Sequence, residues 1–239
     1  MTKSIEKIAL VVTLGTLLSK TGGLLRQLVI AGAFGIGATY DAYNYAYIIP
    51  GFFLVLLGGI NGPFHNAIVS VLSHKSDKES KYITSAVNTI ISSALLVLSG
   101  VIFLLANPLI QVLGPGLSNE VSQIAVVQLQ IMAPITFISG LTGLAFGTLN
   151  AREEFFIPSL APLVSSLIII IGVGIFWLQE SQFSDFFDLG LRGEVVIAIS
   201  TLVGAILQFA IQIPLLIKIG FSKIKFIFDW KNEGVKEVL

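Results

Sequence analysis

The sequence predicts an all-α polytopic membrane protein with six transmembrane helices. Two observations support this prediction: 54% of the 239 residues are hydrophobic while only 12% are charged, and the charged residues leave long gaps. A typical soluble domain has about 25% charged residues, and the mean hydropathy of this chain is +0.90. These values exclude an ordinary soluble enzyme, a disordered chain and a nucleic-acid-binding protein. Because the chain has no cysteine, disulfides and cysteine-ligated metals are excluded as well.

The gaps between charges locate the helices. Asp, Glu, Lys and Arg are absent from 42–74, 82–119, 121–151, 155–179 and 195–217. Each gap can hold a helix of about 20 residues, the length that crosses the hydrocarbon core. Strands of a membrane barrel would be about ten residues long and would alternate in polarity. With the first apolar stretch, the predicted spans lie at roughly 8–33, 41–73, 83–106, 122–149, 157–178 and 195–219.

The distribution of basic residues predicts the orientation of this single lobe, 1–239. Eleven of the fourteen Lys and Arg residues lie at the ends of these spans that share one side of the membrane, and Arg192 is alone on the other side. The positive-inside rule then places both termini in the cytoplasm. A cleaved signal peptide is disfavoured because Lys20 ends the first apolar run without a nearby small-residue cleavage site. The segment 220–239 mixes charges with aromatic residues, which predicts a cytoplasmic or interfacial segment.

Lys20 and Arg26 lie inside the first span and are the candidate binding residues. A charge at the bilayer centre costs about 3 kcal/mol on insertion scales, so such a residue usually faces a cavity or a partner. The alternative is snorkelling to the headgroups. Two cations in a cavity would bind an anion, most simply a phosphate or pyrophosphate. The two residues are about 240° apart on an ideal helix, so only a bend at Gly22-Gly23 would aim them together.

A glycine-rich turn with Gly35 and Gly37 precedes the second span and ends at Asp41. Asp41 is interpreted either as the N-cap of the next helix or as a functional ion partner in gating. Within the span, Pro50 and Pro63 should kink or break the helix. Irregular backbone at membrane depth is tolerated where it lines a cavity or packs in protein.

Asn61 within this irregular region, and His65 and Asn66 after it, are candidate cavity-wall residues. For His65 and Asn66 an interhelical hydrogen bond is the equal alternative. Tyr40 and Tyr43 are interpreted as part of an interfacial aromatic belt. The two histidines of the chain are too few for a metal site, so no metal is predicted. No nucleophile elbow, metalloprotease motif or nucleotide-binding loop is present in the sequence, so we expect neither an enzyme nor an organic cofactor. Gly143-x-x-x-Gly147 matches the small-residue pattern of close helix packing.

Four segments resemble the MurJ (MviN) family of lipid II flippases. Thr16–Arg26 is similar to that family's first-helix pattern Ser-Arg-x-x-Gly-x-x-Arg-Asp, and Phe34–Ala42 to its turn Phe-Gly-x-Gly-x-x-x-Asp-Ala. Two later segments are similar to the family's fourth-to-fifth helix loop and its sixth helix. They contain Leu149-Asn150-Ala151 with Phe155 and Ile157-Pro158, and Leu207-Gln208 with Gln212, Pro214 and Lys218-Ile219-Gly220.

The resemblance implies a transporter of the bacterial inner membrane, in the superfamily of multidrug and oligosaccharidyl-lipid/polysaccharide (MOP) exporters. Such a flippase moves the lipid-linked cell-wall precursor lipid II from the cytoplasmic to the periplasmic leaflet by alternating access. The coupling would come from an ion or the membrane potential. The fold has two six-helix lobes around a central cationic cavity, and this chain would be one MOP-type lobe without its C-terminal lobe. Its partners would be lipid II, membrane lipids and that missing lobe, and not nucleic acid.

Carried over by position, Lys20 stands where the family has its first arginine, and Arg26 and Asp41 match. The resemblance implies that Lys20 and Arg26 meet the pyrophosphate. Gln27 replaces the family's usual acid, and an arginine pair common in the second helix is absent. Two alternatives stay open: a polysaccharide or multidrug exporter of the same superfamily, and a truncated membrane protein that does not transport.

Overall fold

All regular secondary structure is α-helical in the part of the chain that its computed structural model describes, residues 5–59, 62–182, 192–221 and 225–239. Asn61 lies outside these ranges, so its candidate role stays a prediction. The helices are α1 Ile5–Phe34, α2 Ala38–Leu56, α3 Pro63–Ser73, α4 Asp77–Leu104, α5 Ala106–Leu113, α6 Asn119–Met132, α7 Pro134–Asn150, α8 Phe156–Gln182, α9 Gly193–Ala210, α10 Ile213–Lys218 and α11 Glu233–Val238.

Within these described ranges, four helical stretches are long and apolar enough to cross a membrane: Asp77–Leu104, Asn119–Asn150, Phe156–Leu178 and Gly193–Lys218. They coincide with the predicted spans three to six, which confirms an all-α, multi-pass membrane fold. Helix α1 and the pair α2–α3 occupy the ranges of the first two predicted spans. That these two also cross the membrane remains a prediction.

Prolines determine where the long helical stretches are interrupted. Pro63, Pro134 and Pro214 each stand in the first turn of a new helix, where the missing N–H costs no hydrogen bond. Pro50 lies inside α2, and that helix continues past it to Leu56. The break in the second span therefore lies before Pro63 and not at Pro50.

The helices pack as a layered bundle. Helix α1 contacts mainly α8, which packs on α9; α2 packs on α6, and α3 and α4 pack on α7. One buried cluster joins α1, α2, α4 to α6, and α7 to α9, and a second joins α3, α4, α7 and α11. Large aliphatic side chains on the outward faces of α1, α4 and α8 are exposed. In a membrane protein these faces suit lipid tails or another membrane helix.

Gly143 and Gly147 lie at the closest contact between α7 and the broken second span. A Cβ on Gly143 would overlap the carbonyl group of Leu57, and one on Gly147 would lie 2.6 Å from Cβ of Ile68. The small-residue pattern thus marks a close approach of backbones, as the sequence predicts.

We expect Gly143→Ala to lower the free energy of unfolding by about 1–3 kcal/mol, because the new methyl group must displace the Leu57 backbone. Gly100→Ala is the matched control: Gly100 lies inside α4, and no neighbouring atom lies within 4 Å of the place that its methyl group would take. Alanine's better helix propensity should therefore leave stability unchanged or improved. Thermal unfolding of the purified proteins in detergent measures both. Equal midpoints for the two variants would contradict the packing argument.

Candidate functional site

A cavity of about 760 Å³ opens where the break between α2 and α3 meets α1, α8 and α9. The irregular backbone at Gly58, Gly59 and Gly62 forms one wall. Its polar groups are partly satisfied locally, since the N–H of Leu57 donates to Phe53 O at 2.9 Å and that of Gly62 to Gly59 O at 3.1 Å. The other described lining residues are Ser19, Gly23, Arg26, Tyr47, Phe52, Leu54, Val55, Leu56, Pro63, Pro162, Ser165, Ser166 and Gln208.

Helix α1 turns one polar face to this cavity. Ser19, Gly23 and Arg26 are spaced four and three residues apart, which places them on one side of a helix. The Ser19 hydroxyl donates to the Ser159 carbonyl at 2.8 Å and so fixes α1 against α8. Among the described lining residues Arg26 is the one cation, and none is acidic. The cavity is therefore electropositive.

Arg26 is half-buried and incompletely paired. Its guanidinium forms a hydrogen bond with the Tyr47 hydroxyl, whereas Nε is buried without a hydrogen-bond partner among the described residues. Leaving a charged donor unpaired away from water is costly. An anionic acceptor entering the cavity would relieve that cost, because a guanidinium can offer two parallel N–H groups to a carboxylate or phosphate.

Tyr47 is itself held in place by a neighbouring tyrosine. The rings of Tyr47 and Tyr43 stack with centroids 5.5 Å apart, and the Tyr43 hydroxyl lies 3.1 Å from Oγ1 of Thr201 on α9. Tyr43 is only 5% exposed, so its interpretation as an interfacial belt residue is wrong. It points into the bundle because Thr201 supplies a buried partner there. This chain of contacts orients the residue that meets Arg26.

Lys20 does not lie with Arg26. It is exposed on α1 and is not among the described cavity-lining residues. Helix α1 stays helical from Ile5 to Phe34, through Gly22-Gly23, so the angular separation expected of an unbroken helix is retained.

His65 is buried and joins α3 to the end of α7. The Asn150 side-chain amide donates to Nε2 at 2.8 Å, and Nδ1 lies 3.1 Å from Oδ1 of Asn66. Both bonds form when the neutral ring carries its proton on Nδ1. Asn66 is exposed. In this structure His65 thus makes an interhelical hydrogen bond, and neither His65 nor Asn66 lines the cavity in the described part.

The turn between α1 and α2 is built on two glycines. Gly35 has φ of +57°, a left-handed conformation that L residues with a side chain adopt at a cost of about 1–2 kcal/mol, and it ends α1. Gly37 is the N-cap of α2. The N-cap interpretation of Asp41 is therefore wrong, because α2 begins three residues earlier. Asp41 lies exposed in the first turn, where its charge favours the positive end of the helix.

Comparison with known proteins assigns this chain to a family. The model of the family "Lipid II flippase MurJ" matches residues 30–239. The chain belongs to the MurJ family. It is 45% identical to a probable lipid II flippase MurJ of Synechocystis sp. over 99% of this chain and 44% of that protein. It is 30% identical to the lipid II flippase MurJ of Burkholderia cenocepacia over 94% and 43% of the two chains.

Solved structures extend the comparison to the fold. MurJ in an inward closed conformation superimposes with a TM-score of 0.76 and 27% identity, covering 96% of this chain and 46% of that one. A crystal structure of MATE in complex with MaD3S shares the fold alone, with a TM-score of 0.71 and 17% identity over 97% and 51% of the chains. The chain spans about half the length of these relatives.

Sequence reasoning missed several polar residues of the cavity in this MurJ-family lobe. Tyr47, Ser165, Ser166 and Gln208 all line it, but none was a candidate. Ser19 and Gly23 line it as well, and for these two the sequence held a signal. Their spacing of four and three residues along to Arg26 marks one face of a helix. For the others, which come from distant parts of the chain, no comparable local signal exists.

We expect His65→Ala and Asn150→Ala to be non-additive, with a coupling of about 1 kcal/mol in the free energy of unfolding, because each change removes the same buried hydrogen bond. Thermal unfolding of the single and double variants measures the coupling. His74→Ala combined with Asn150→Ala is the matched control, since exposed His74 caps α3 away from this pair. Additive effects for His65 and Asn150 would show that the bond contributes nothing.

Proposed function

We propose that this chain forms the N-terminal lobe of a lipid II flippase and binds the precursor's pyrophosphate through Arg26. The observation that carries the proposal is the incompletely paired guanidinium in a cavity whose described lining has no acid. Membership of the MurJ family supports lipid II as the substrate. The proposed protein is a transporter and not an enzyme.

The chemistry of pyrophosphate suits the cavity. Two linked phosphates carry several negative charges, and a guanidinium can donate two parallel hydrogen bonds to oxygens of one phosphate. The wall formed by the α2–α3 break exposes backbone next to Arg26, as at other substrate sites lined by discontinuous membrane helices. A volume of about 760 Å³ leaves room for the phosphates and an adjoining sugar.

Lys20 and the α1–α2 turn take different roles in the proposal. Lys20 sits on the exposed face of α1 beside aliphatic residues such as Leu17 and Leu24, so it would reach the substrate where the second lobe closes over that face. Gly35, Gly37 and Asp41 form the hinge at the other end of α1, where a change in the angle between α1 and α2 would gate the cavity. Alternating access driven by the membrane potential or an ion gradient would move the charged substrate.

A multidrug exporter of the same superfamily is the second candidate, because the fold alone is shared with a MATE transporter. The charge of the cavity argues against a cationic drug, since an arginine without a neighbouring acid repels cations. Binding of lipid II but not of ethidium to the purified chain would separate the two candidates.

The distribution of charge in three dimensions supports an inner-membrane topology with both termini in the cytoplasm. Lys81 near the start of α4 and Arg152 in the turn after α7 each lie within 6 Å of the centre of the Phe221 ring, at 5.9 and 5.8 Å. At a separate site Arg192 pairs with Glu194 at 2.7 Å, next to Glu120. The basic segments around Lys81, Arg152 and Phe221 therefore meet at one end of the lobe, which is the pattern that the positive-inside rule predicts for a cytoplasmic side.

We expect Arg26→Ala to abolish rescue of a flippase-depleted bacterium by this chain joined to the second lobe of the Synechocystis relative. A lost charge-assisted bond corresponds to a roughly tenfold to hundredfold loss of substrate affinity. Arg26→Lys should rescue partly, because it keeps the charge and loses the fork. Colony formation after depletion, at equal membrane levels of protein, is the measurement.

Gln27→Ala is the control, since Gln27 neighbours Arg26 but is exposed and does not line the cavity; it should rescue fully. Full rescue by Arg26→Ala would refute the role of the guanidinium. Rescue by the present chain alone would refute the need for a second lobe, and failure of the joined wild-type protein would refute the proposed flippase.

We expect a single cysteine at position 192 to react with a membrane-impermeant maleimide in intact spheroplasts, and one at position 78 to react only after lysis. The chain contains no native cysteine, so Arg192→Cys and Lys78→Cys each give one reporter, and the wild-type chain is the unlabelled control. The reverse pattern of labelling would invert the topology.

A further inference from the structure

A second cavity, of about 740 Å³, lies away from Arg26 at the basic end of the lobe. The first turns of α4 form one side, and a non-helical segment that we call the strap, residues 225–232, forms the other. Four lysines line it: Lys75, Lys78, Lys81 and Lys225. Nothing in the proposed transport mechanism uses this cavity.

The lysines of this cavity outnumber its acids. In the described ranges none of the four lies in an ion pair with a carboxylate, and the one acid in the lining is Glu79. The Glu79 carboxylate accepts hydrogen bonds from the Ser76 hydroxyl at 2.8 Å and the Ser76 N–H at 3.2 Å, which close the capping box of α4. Neighbouring Asp77 pairs with Arg152 at 2.8 Å. The cavity therefore keeps a clear excess of positive charge.

The strap is a built wall of this cavity, tied to α4 by three successive contacts. The N–H of Lys225 donates to Ser85 Oγ at 3.3 Å, and the N–H of Ile227 to Thr89 Oγ1 at 3.1 Å. The Tyr82 hydroxyl donates to the Asp229 carboxylate at 2.8 Å. That bond lowers the pKa of Asp229, so this carboxylate stays ionised at neutral pH.

The aromatic residues that alternate with these contacts along the strap are exposed. Phe226, Phe228 and Trp230 are 84%, 61% and 58% exposed. Three large aromatic side chains in a row, directed outward beside a lysine cluster, are the composition that settles at a membrane–water boundary.

The position of the cavity in the sequence points to the same boundary. Lys81 is the last charge before the apolar run of α4, and Gly220 follows the apolar run of α9 and α10 directly after Lys218 and Ile219. Both line the cavity, together with Ile83 and Ile227. Its floor is thus apolar and its rim cationic, which fits an amphipathic anion better than a free ion.

We propose that this cavity binds the phosphate headgroup of an anionic phospholipid in the leaflet at the basic end of the lobe. The lysines would meet the phosphate, Ile83 and Ile227 would contact the glycerol and upper acyl chain, and the strap aromatics would enter the lipid interface. The site is separate from the Arg26 cavity, so the proposal goes beyond flipping and can fail without it. A lipid held here would fix α4 to the strap.

The test uses the purified full chain in neutral detergent with Trp177→Phe, which leaves Trp230 as the single tryptophan reporter. Titration with dioctanoyl-phosphatidylglycerol should give a saturable change in Trp230 fluorescence, and dioctanoyl-phosphatidylcholine should give little. The double variant Lys78→Gln/Lys225→Gln should weaken phosphatidylglycerol binding about 25-fold, at about fivefold for each lysine near a membrane surface.

Lys231→Gln/Lys236→Gln is the matched control, because it removes two charges from the same region that do not line the cavity. It should keep wild-type affinity, and Lys78→Arg/Lys225→Arg should retain most of it. Equal weakening by both glutamine pairs would reduce the effect to general surface charge and overturn the site. Equal saturation by phosphatidylcholine would overturn headgroup recognition, and displacement of the lipid by millimolar inorganic phosphate would overturn the lipid as the ligand.

Discussion

A guanidinium group half-buried among packed helices must find most of its hydrogen-bond partners within the protein. The Arg26 guanidinium forms a hydrogen bond with the Tyr47 hydroxyl, and the Tyr47 ring stacks on that of Tyr43. The Tyr43 hydroxyl in turn forms a hydrogen bond with Thr201 on α9. The remaining donor capacity of Arg26 is directed at a cavity. Low dielectric makes every such contact stronger and every missing one more costly. The same constraint that orders these aromatic residues therefore leaves a site that favours an anion.

The cavity exists because the second span is interrupted. A continuous helix from α2 into α3 would place side chains where the glycines at 58, 59 and 62 now form a wall. This irregular backbone is stable because its polar groups find partners in the turn itself or face the cavity. Close packing on α7 through Gly143 holds the broken region in place. Stability and the binding site thus depend on the same few small residues.

The two charged regions of the lobe differ in kind. Near the α1–α2 turn, Arg192 pairs with Glu194, and Glu120 lies close by. At the basic end, the Glu79 carboxylate belongs to the capping box of α4, and Asp77 pairs with Arg152. The lysines that line the cavity there therefore outnumber the acids available to them. Unbalanced charge at a membrane boundary attracts anionic headgroups. The proposed topology and the proposed lipid site rest on one asymmetry of charge.

The sequence by itself determined the helical class, the positions of four long apolar helical stretches and the separation of Lys20 from Arg26, because charge-free gaps and the 3.6-residue period are local properties. It misplaced the start of α2, since the Gly35–Gly37 turn sets that start and Asp41 merely follows it. Only the tertiary structure decided that Tyr43 is internal and that His65 pairs with Asn150, 85 positions away. A polar residue on an apolar helix can face lipid, cavity or another helix, and the distant residue that satisfies its hydrogen bonds makes that choice.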